Sequence, residues 1–189
     1  CIRDSKAQYR QARSVPSCSP LDALREGMDI ALVSLTLRTG SERRDAANVE
    51  VFARLTNACH EIGIPVVGEY FPTGHGEMTP EKLHEDVLVG ARITAELGAD
   101  AIKTFCTMDF AAVTSSCPVP VFGLGAEKLP TDLDALELAA RQVVAGARGV
   151  VFGRNAVQAA VPWNYQAALC EVVRQGVSPR EAAAKYQLL

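Results

Sequence analysis

The sequence predicts an α/β protein in which helices cover a parallel β-sheet. Past residue 28, short runs rich in β-branched residues alternate with longer helical segments. The short runs are apolar almost without interruption, as expected for strands that are covered on both faces. The chain has 189 residues and 48% hydrophobic content, which is enough for one sizeable core. We therefore predict a single domain over residues 1–189.

Five segments have the length and composition of strands. They are residues 30–37, 65–70, 101–105, 119–124 and 149–153. Residues 1–20 have no clear period, so we expect irregular structure there and βα units over 21–189.

Start and stop signals predict helices between and after these strands. Thr or Ser precedes each expected helix as an N-cap, and Gly follows two of them. The signals are Thr79 with Pro80 and Gly98, Thr131 with Asp134 and Gly146, and a capping box at 178–181.

Five parallel strands fit two architectures. One is an open, doubly wound sheet, and the other is part of an eight-stranded (β/α)8 barrel, which typically needs about 200 to 250 residues. Periodicity alone does not choose between them. In both, ligands bind at the carboxyl ends of the strands.

Composition and charge exclude several kinds of partner. The formal net charge is -3 with both signs interspersed, so no basic stripe follows a nucleic acid backbone. No apolar run approaches the ~20 residues that span a bilayer, and the first residues are polar. The six cysteines are scattered, without the close pairs of a zinc site. We expect a soluble, cytoplasmic protein with reduced thiols and no metal.

Lys103 stands out because it is an ammonium group inside an apolar strand. Loss of hydration disfavours the charged form, which makes a neutral amine available to attack a carbonyl and form a Schiff base. The alternatives are a lysine paired with Glu69, or one at the strand edge that reaches water.

Two glycine turns follow the fourth and fifth strands. Glycines let backbone N–H groups approach an anion closely, and a following helix N-terminus favours negative charge. Arg154 would add charge-assisted hydrogen bonds. These turns are therefore candidates for phosphate binding; the alternative is that they serve only tight strand-to-helix connections.

The remaining side chains are less informative. His75, near Glu77, lies in a loop and could assist proton transfer, whereas His60 and His84 fall in predicted helices without metal-ligand spacing. We expect Trp163 and Tyr165 to pack the last helices against the sheet.

Four motifs occur in a fixed order: "GIPVVGEYFPTG", "AELGADAIKTF", "CPVPVFGLGAEK" and "GARGVVFGRNAVQ". In this order they resemble the class I aldolase family of archaeal-type fructose-bisphosphate aldolases, which also includes the related aromatic-precursor synthases and an autoinducer-breakdown thiolase. The resemblance covers roughly residues 20–185. It implies a TIM (β/α)8 barrel, with the five strands as its fourth to eighth and the first three not evident.

The resemblance also implies the site. Lys103 would form the Schiff base, and no metal or cofactor would be needed because the protonated imine is the electron sink. The implied phosphate-binding residues are Gly123, Gly125, Lys128, Gly153 and Arg154.

One residue departs from the family pattern. Relatives tend to have an acid–base tyrosine just before the proline, and here that residue is Phe71. Tyr70 precedes it, but strand alternation points Tyr70 away from the face shared by Glu69 and Phe71 unless a bulge re-aims it. Glu69 and Tyr70 are the candidate acid–base residues, with His75 or water as substitutes.

These features lead to one main functional hypothesis. It is a class I aldolase of carbohydrate metabolism, a lyase that makes or breaks a carbon–carbon bond in a phosphorylated keto substrate such as dihydroxyacetone phosphate. The alternatives are thiolase-like cleavage of a phosphorylated diketone, and a phospho-ligand-binding barrel fragment without turnover. Since five strands cannot close a barrel, we expect a homo-oligomer that covers the sheet edges.

Overall fold

The computed structural model describes residues 15–189 and contains one parallel sheet of five strands. Each strand pairs only with its neighbours along the chain, in the order β1-β2-β3-β4-β5. The strands are β1 (Ala31–Leu35), β2 (Val66–Tyr70), β3 (Ala101–Thr104), β4 (Val121–Leu124) and β5 (Gly149–Val151). All five predicted strands are present, with bounds up to two residues shorter at either end.

Eight α-helices accompany the strands in the described part of the chain. They are α1 (Pro20–Arg25), α2 (Glu42–Glu61), α3 (Pro80–Glu96), α4 (Phe110–Ser116), α5 (Asp132–Val144), α6 (Arg154–Val157), α7 (Pro162–Gln175) and α8 (Pro179–Lys185). A 3₁₀ turn, His75–Glu77, lies between β2 and α3. Of the segment expected to be irregular, residues 1–14 lie outside the described residues and 15–19 precede α1.

The strand order distinguishes the two predicted architectures. A doubly wound sheet reverses its strand order at a switch point, whereas a barrel adds each βα unit beside the previous one. The order here runs without reversal. The prediction of five barrel-type units is confirmed, and the doubly wound alternative is wrong.

The helices cover only one face of this sheet. The side chains of Val33, Leu35, Ile102 and Val121 face the helices, are each at most 8% exposed and belong to the main core. The opposite face, here called the open face, carries the alternate residues. Leu32 on the open face is 39% exposed. Glu69 and Leu124 on the same face are 6% and 7% exposed, so the middle of this face is more enclosed than its edge strand β1.

Local capping signals set the ends of the longer helices. The Thr79 side chain accepts a hydrogen bond from Lys82 N ahead of α3, and Thr131 forms a reciprocal capping box with Asp134 at α5. Gly98 and Gly146 follow these helices at φ 104° and 93°, where glycine avoids the cost of a β-carbon. Ser178 caps α8 through Glu181 N.

A second core joins α5, α7 and α8 below β5. Tyr165 is fully buried in it, as predicted, but Trp163 is 85% exposed, so its predicted packing is wrong. The two residues are two positions apart on α7, and residues at that spacing do not share a helix face.

No helix within residues 15–189 has both the length and the apolar composition needed to cross a bilayer.

Candidate active site

A row of polar side chains crosses the open face. The parallel register aligns Ser34 of β1 with Glu69 of β2, and Glu69 with Lys103 of β3. Side chains of aligned residues in a parallel sheet lie on the same face. Three chemically active groups on three strands are thereby placed side by side.

Glu69 is the centre of this row. Lys103 Nζ donates to Glu69 Oε1 at 2.7 Å, and Ser34 Oγ donates to Oε2 at 2.6 Å. Glu69 is 6% exposed, and the side chains of the Lys103–Glu69 ion pair are 18% and 8% exposed. A buried carboxylate is costly unless its oxygens are paired, and both of these are.

The ion pair corresponds to one of the alternatives that the sequence left open for Lys103. The same contact is compatible with chemistry, because a carboxylate within hydrogen-bond distance can take a proton from an ammonium group and leave a nucleophilic amine. Pairing and reactivity are therefore compatible at this lysine.

Ser34 was not among the residues that sequence reasoning singled out. It is a short polar residue inside an apolar run, a common occurrence that carries little information alone. Its role depends on the alignment of β1 with β2, which the sequence does not specify residue by residue.

Tyr70 lies on the opposite face of β2, as strand alternation predicts. Its hydroxyl donates to Asp86 Oδ1 of α3 at 3.1 Å, and its ring packs against Gly90. Burial and the neighbouring Asp86 carboxylate raise the pKa of Tyr70. Arg38 also contacts Asp86, at 3.2 Å. The structure does not bring the Tyr70 hydroxyl together with Lys103.

Three rings meet where β2 and β3 end. Phe71 and Phe105 follow Glu69 and Lys103 by two positions, and their ring centroids are 5.1 Å apart. His75, from the 3₁₀ turn, contacts both rings at 4.8 and 4.9 Å. Two phenyl rings and one imidazole therefore lie at the carboxyl ends of the two strands that carry Glu69 and Lys103.

Asn155 joins the two glycine turns. It is fully buried; its Nδ2 donates to Gly125 O at 2.9 Å and Glu127 O at 3.0 Å, and its Oδ1 accepts from Leu129 N at 2.8 Å. The turn after β4 is thus bonded to the start of α6. The sequence analysis assigned Asn155 no role.

The glycines of these turns differ in their surroundings. A β-carbon on Gly123 would collide with the buried Gln142 side chain of α5, and one on Gly125 would lie 2.8 Å from the Phe152 ring. A β-carbon on Gly153 would meet nothing within 4 Å. Packing accounts for the first two glycines, whereas the space beside Gly153 is open to a ligand.

The two basic residues predicted for phosphate binding follow the carboxyl ends of β4 and β5. Arg154 is the first residue of α6, directly after Gly153, and is half-buried. Lys128 Nζ donates to Asp132 Oδ1 at 2.6 Å. An anion bound here would share Lys128 with this carboxylate.

Within residues 15–189 no three His, Cys, Asp or Glu side chains gather in a way that could hold a metal ion.

The structure thus combines barrel-type βα units with a lysine–carboxylate pair near the carboxyl ends of β2 and β3. Residues 16–159 match the family described as DeoC/LacD family aldolase. The chain belongs to this family.

Two curated relatives are similar over most of the chain. The 3-hydroxy-5-phosphonooxypentane-2,4-dione thiolases of Enterobacter sp. (strain 638) and Klebsiella pneumoniae subsp. pneumoniae are each 35% identical over 168 residues. The match covers 88% of this chain but 54% of each relative, so the chain spans about half of their length.

Solved structures agree with the fold. An archaeal fructose 1,6-bisphosphate aldolase superposes with a TM-score of 0.77 at 31% identity, covering 86% of this chain and 65% of that one. A structure described as a Schiff base forming fructose-1,6-bisphosphate aldolase gives the same TM-score at 32% identity and the same coverage.

Proposed function

We propose that this protein is a class I aldolase that forms an imine between Lys103 and a phosphorylated keto substrate. The observation that carries the proposal is the 2.7 Å contact between Lys103 and the buried Glu69 on the open face. Membership of an aldolase family and the likeness to a Schiff base forming aldolase support it.

In the proposed mechanism Glu69 moves the protons of imine formation. It takes a proton from the Lys103 ammonium, and the neutral amine attacks the substrate carbonyl carbon. Glu69 then returns the proton to the carbinolamine hydroxyl, which leaves as water. The protonated imine accepts the electron pair of the bond between the substrate's α and β carbons, which breaks to give an enamine; the reverse steps form the bond.

We assign the substrate phosphate to the carboxyl ends of β4 and β5. Gly153 leaves open space beside its backbone, Arg154 supplies a guanidinium group and Lys128 an ammonium. Gly125 lies in the turn that Asn155 bonds to this region. Gly123 contributes to packing within β4.

Borohydride trapping tests the proposal. Incubation with dihydroxyacetone phosphate and borohydride is expected to leave a covalent adduct on Lys103. Because a modified lysine resists trypsin, digestion should give the peptide 93–128 in place of 93–103. Lys103→Met should abolish the adduct, whereas Lys82→Met, at an exposed position of α3, should not. Absence of an adduct in folded protein that binds the ketone would contradict the proposal and favour a binding-only role.

A second candidate is thiolase-like cleavage of a phosphorylated diketone, favoured by the 35% identity to the two dione thiolases. Its product should depend on an added thiol as acyl acceptor, whereas aldol cleavage needs none. Comparing cleavage of a phosphorylated diketone with and without thiol separates the two reactions.

A further inference from the structure

Cleavage through an imine needs a proton acceptor besides the groups that form the imine. The hydroxyl group beside the breaking bond must lose its proton, and the enamine carbon must later gain one. Glu69 already holds Lys103 and Ser34 with its two oxygens, and the Tyr70 hydroxyl is bonded to Asp86 behind the sheet. A second group at the carboxyl ends of the strands would let Glu69 stay paired with the imine nitrogen during this step.

His75 is placed to do so. Its imidazole contacts Phe71 and Phe105, which lie two positions after Glu69 and Lys103, just past the ends of β2 and β3. The ring is half-buried, so it is held by packing yet reachable from solvent. Histidine is the residue most often used for general acid–base catalysis.

The loop that carries His75 is fixed at its base. Thr73 Oγ1 donates to Leu37 O at 3.2 Å, which ties the loop to the end of β1. Gly74 then takes a left-handed conformation at φ 69°, and the 3₁₀ turn begins at His75. This turn directs the imidazole back over the ends of β2 and β3.

We propose that His75 is the catalytic acid–base residue of the carbon–carbon step; this rests on the proposed imine at Lys103. The neutral imidazole takes the hydroxyl proton as the carbon–carbon bond breaks, and the aldehyde leaves. The electron pair of that bond forms the enamine. The imidazolium then returns its proton to the enamine carbon, which restores the imine for hydrolysis.

Hydrogen exchange at the α-carbon of dihydroxyacetone phosphate tests this step. Proton NMR in D₂O measures the exchange, and borohydride trapping on Lys103 measures the imine separately. His75→Gln is expected to trap the ketone like the wild type but to exchange hydrogen about 10²- to 10⁴-fold more slowly, the usual contribution of general acid–base catalysis. Added imidazole should restore exchange in His75→Ala.

His60→Gln is the matched control. His60 Nε2 lies 2.9 Å from Asp100 Oδ2, and Asp100 immediately precedes β3 at the opposite end of the sheet. This variant should trap and exchange like the wild type.

The outcomes separate this inference from the proposed function. Absence of any adduct in the wild type refutes the imine, and the inference falls with it. An adduct with no exchange in the wild type, or wild-type exchange in His75→Gln, overturns the role of His75 alone. Slow exchange in His75→Ala that imidazole does not restore also overturns it, since the loss would then come from ring packing.

Discussion

The Ser34 hydroxyl supports the Glu69 carboxylate through one short hydrogen bond. It donates at 2.6 Å to a carboxylate that is 6% exposed, and Lys103 holds the other oxygen. A hydrogen bond to a charged group contributes about 1.5 to 3 kcal/mol to stability. Ser34 thus helps to hold the Glu69 carboxylate in one orientation beside the lysine.

Ser34→Ala should therefore affect both stability and chemistry. We expect the free energy of unfolding to fall by about 1.5 to 3 kcal/mol, measured by urea denaturation. The rate of borohydride trapping on Lys103 should fall as well, by less than the ~10²- to 10⁴-fold value of a complete acid–base group, because Glu69 remains.

Tyr70→Phe is the control for this prediction. It likewise removes a hydroxyl group from a strand residue, but on the helix side of the sheet, where Tyr70 donates to Asp86. It should destabilise the protein and leave trapping unchanged. Wild-type trapping in Ser34→Ala, or slow trapping in Tyr70→Phe, would contradict the division of the sheet into a reactive and a packing face.

At the scale of elements, Asn155 connects the first turn of α6 to the turn after β4, where its partners Gly125 and Glu127 lie 30 and 28 positions earlier in the sequence. Its three hydrogen bonds join the turn after β4 to the first turn of α6. The proposed phosphate-binding residues lie on these two segments. Their relative position therefore depends on one fully buried amide.

Asn155→Ala should weaken both stability and ligand binding. The free energy of unfolding should fall by about 1 to 3 kcal/mol for a buried polar group left without a partner. Affinity for dihydroxyacetone phosphate, measured by calorimetry, should fall because the two turns are no longer joined.

Gly153→Ala is the matched comparison. A β-carbon there meets nothing within 4 Å, so stability should be unchanged, but the methyl group would occupy the space assigned to the phosphate. Affinity should therefore fall without a loss of stability. If both variants bind dihydroxyacetone phosphate with wild-type affinity, the two turns are structural and do not bind the phosphate.

Sequence reasoning found the elements but not every contact between them. Lys103 was conspicuous because an ammonium group is rare in an apolar strand. Ser34 and Asn155 were missed because their roles depend on strand register and on the approach of two distant turns. Tyr165 is buried and Trp163 exposed because only one face of α7 packs against α5. The apolar character of Trp163 does not indicate which face this is.

The whole molecule leaves one sheet face and both sheet edges uncovered within residues 15–189. β1 and β5 each pair on one side only, and Leu32 and Val151 on the open face are 39% and 42% exposed. Unpaired strand edges with apolar residues favour association with another chain. This supports the proposal of a homo-oligomer.

Self-association can be measured directly. Sedimentation over a range of concentrations should show a mass that rises above the 20.2 kDa of one chain. Leu32→Lys should reduce association, because a charge on an edge strand opposes pairing. Val144, the last residue of α5, is 88% exposed. Val144→Lys adds the same charge away from the sheet and should leave association unchanged. A monomer at every concentration, or equal effects of the two variants, would contradict this interface.

The strand order has a consequence for how such a fold can grow. Aligned residues on neighbouring strands are at most 35 positions apart, as in Ala31 with Val66, so no strand must await a distant partner. Closing such short loops carries a modest entropy cost that rises only slowly with length. Each βα unit can therefore dock on the one before it as the chain emerges from the ribosome. Gene fusion could add further βα units beside β1 or β5 without changing the strand pairing between β1 and β5.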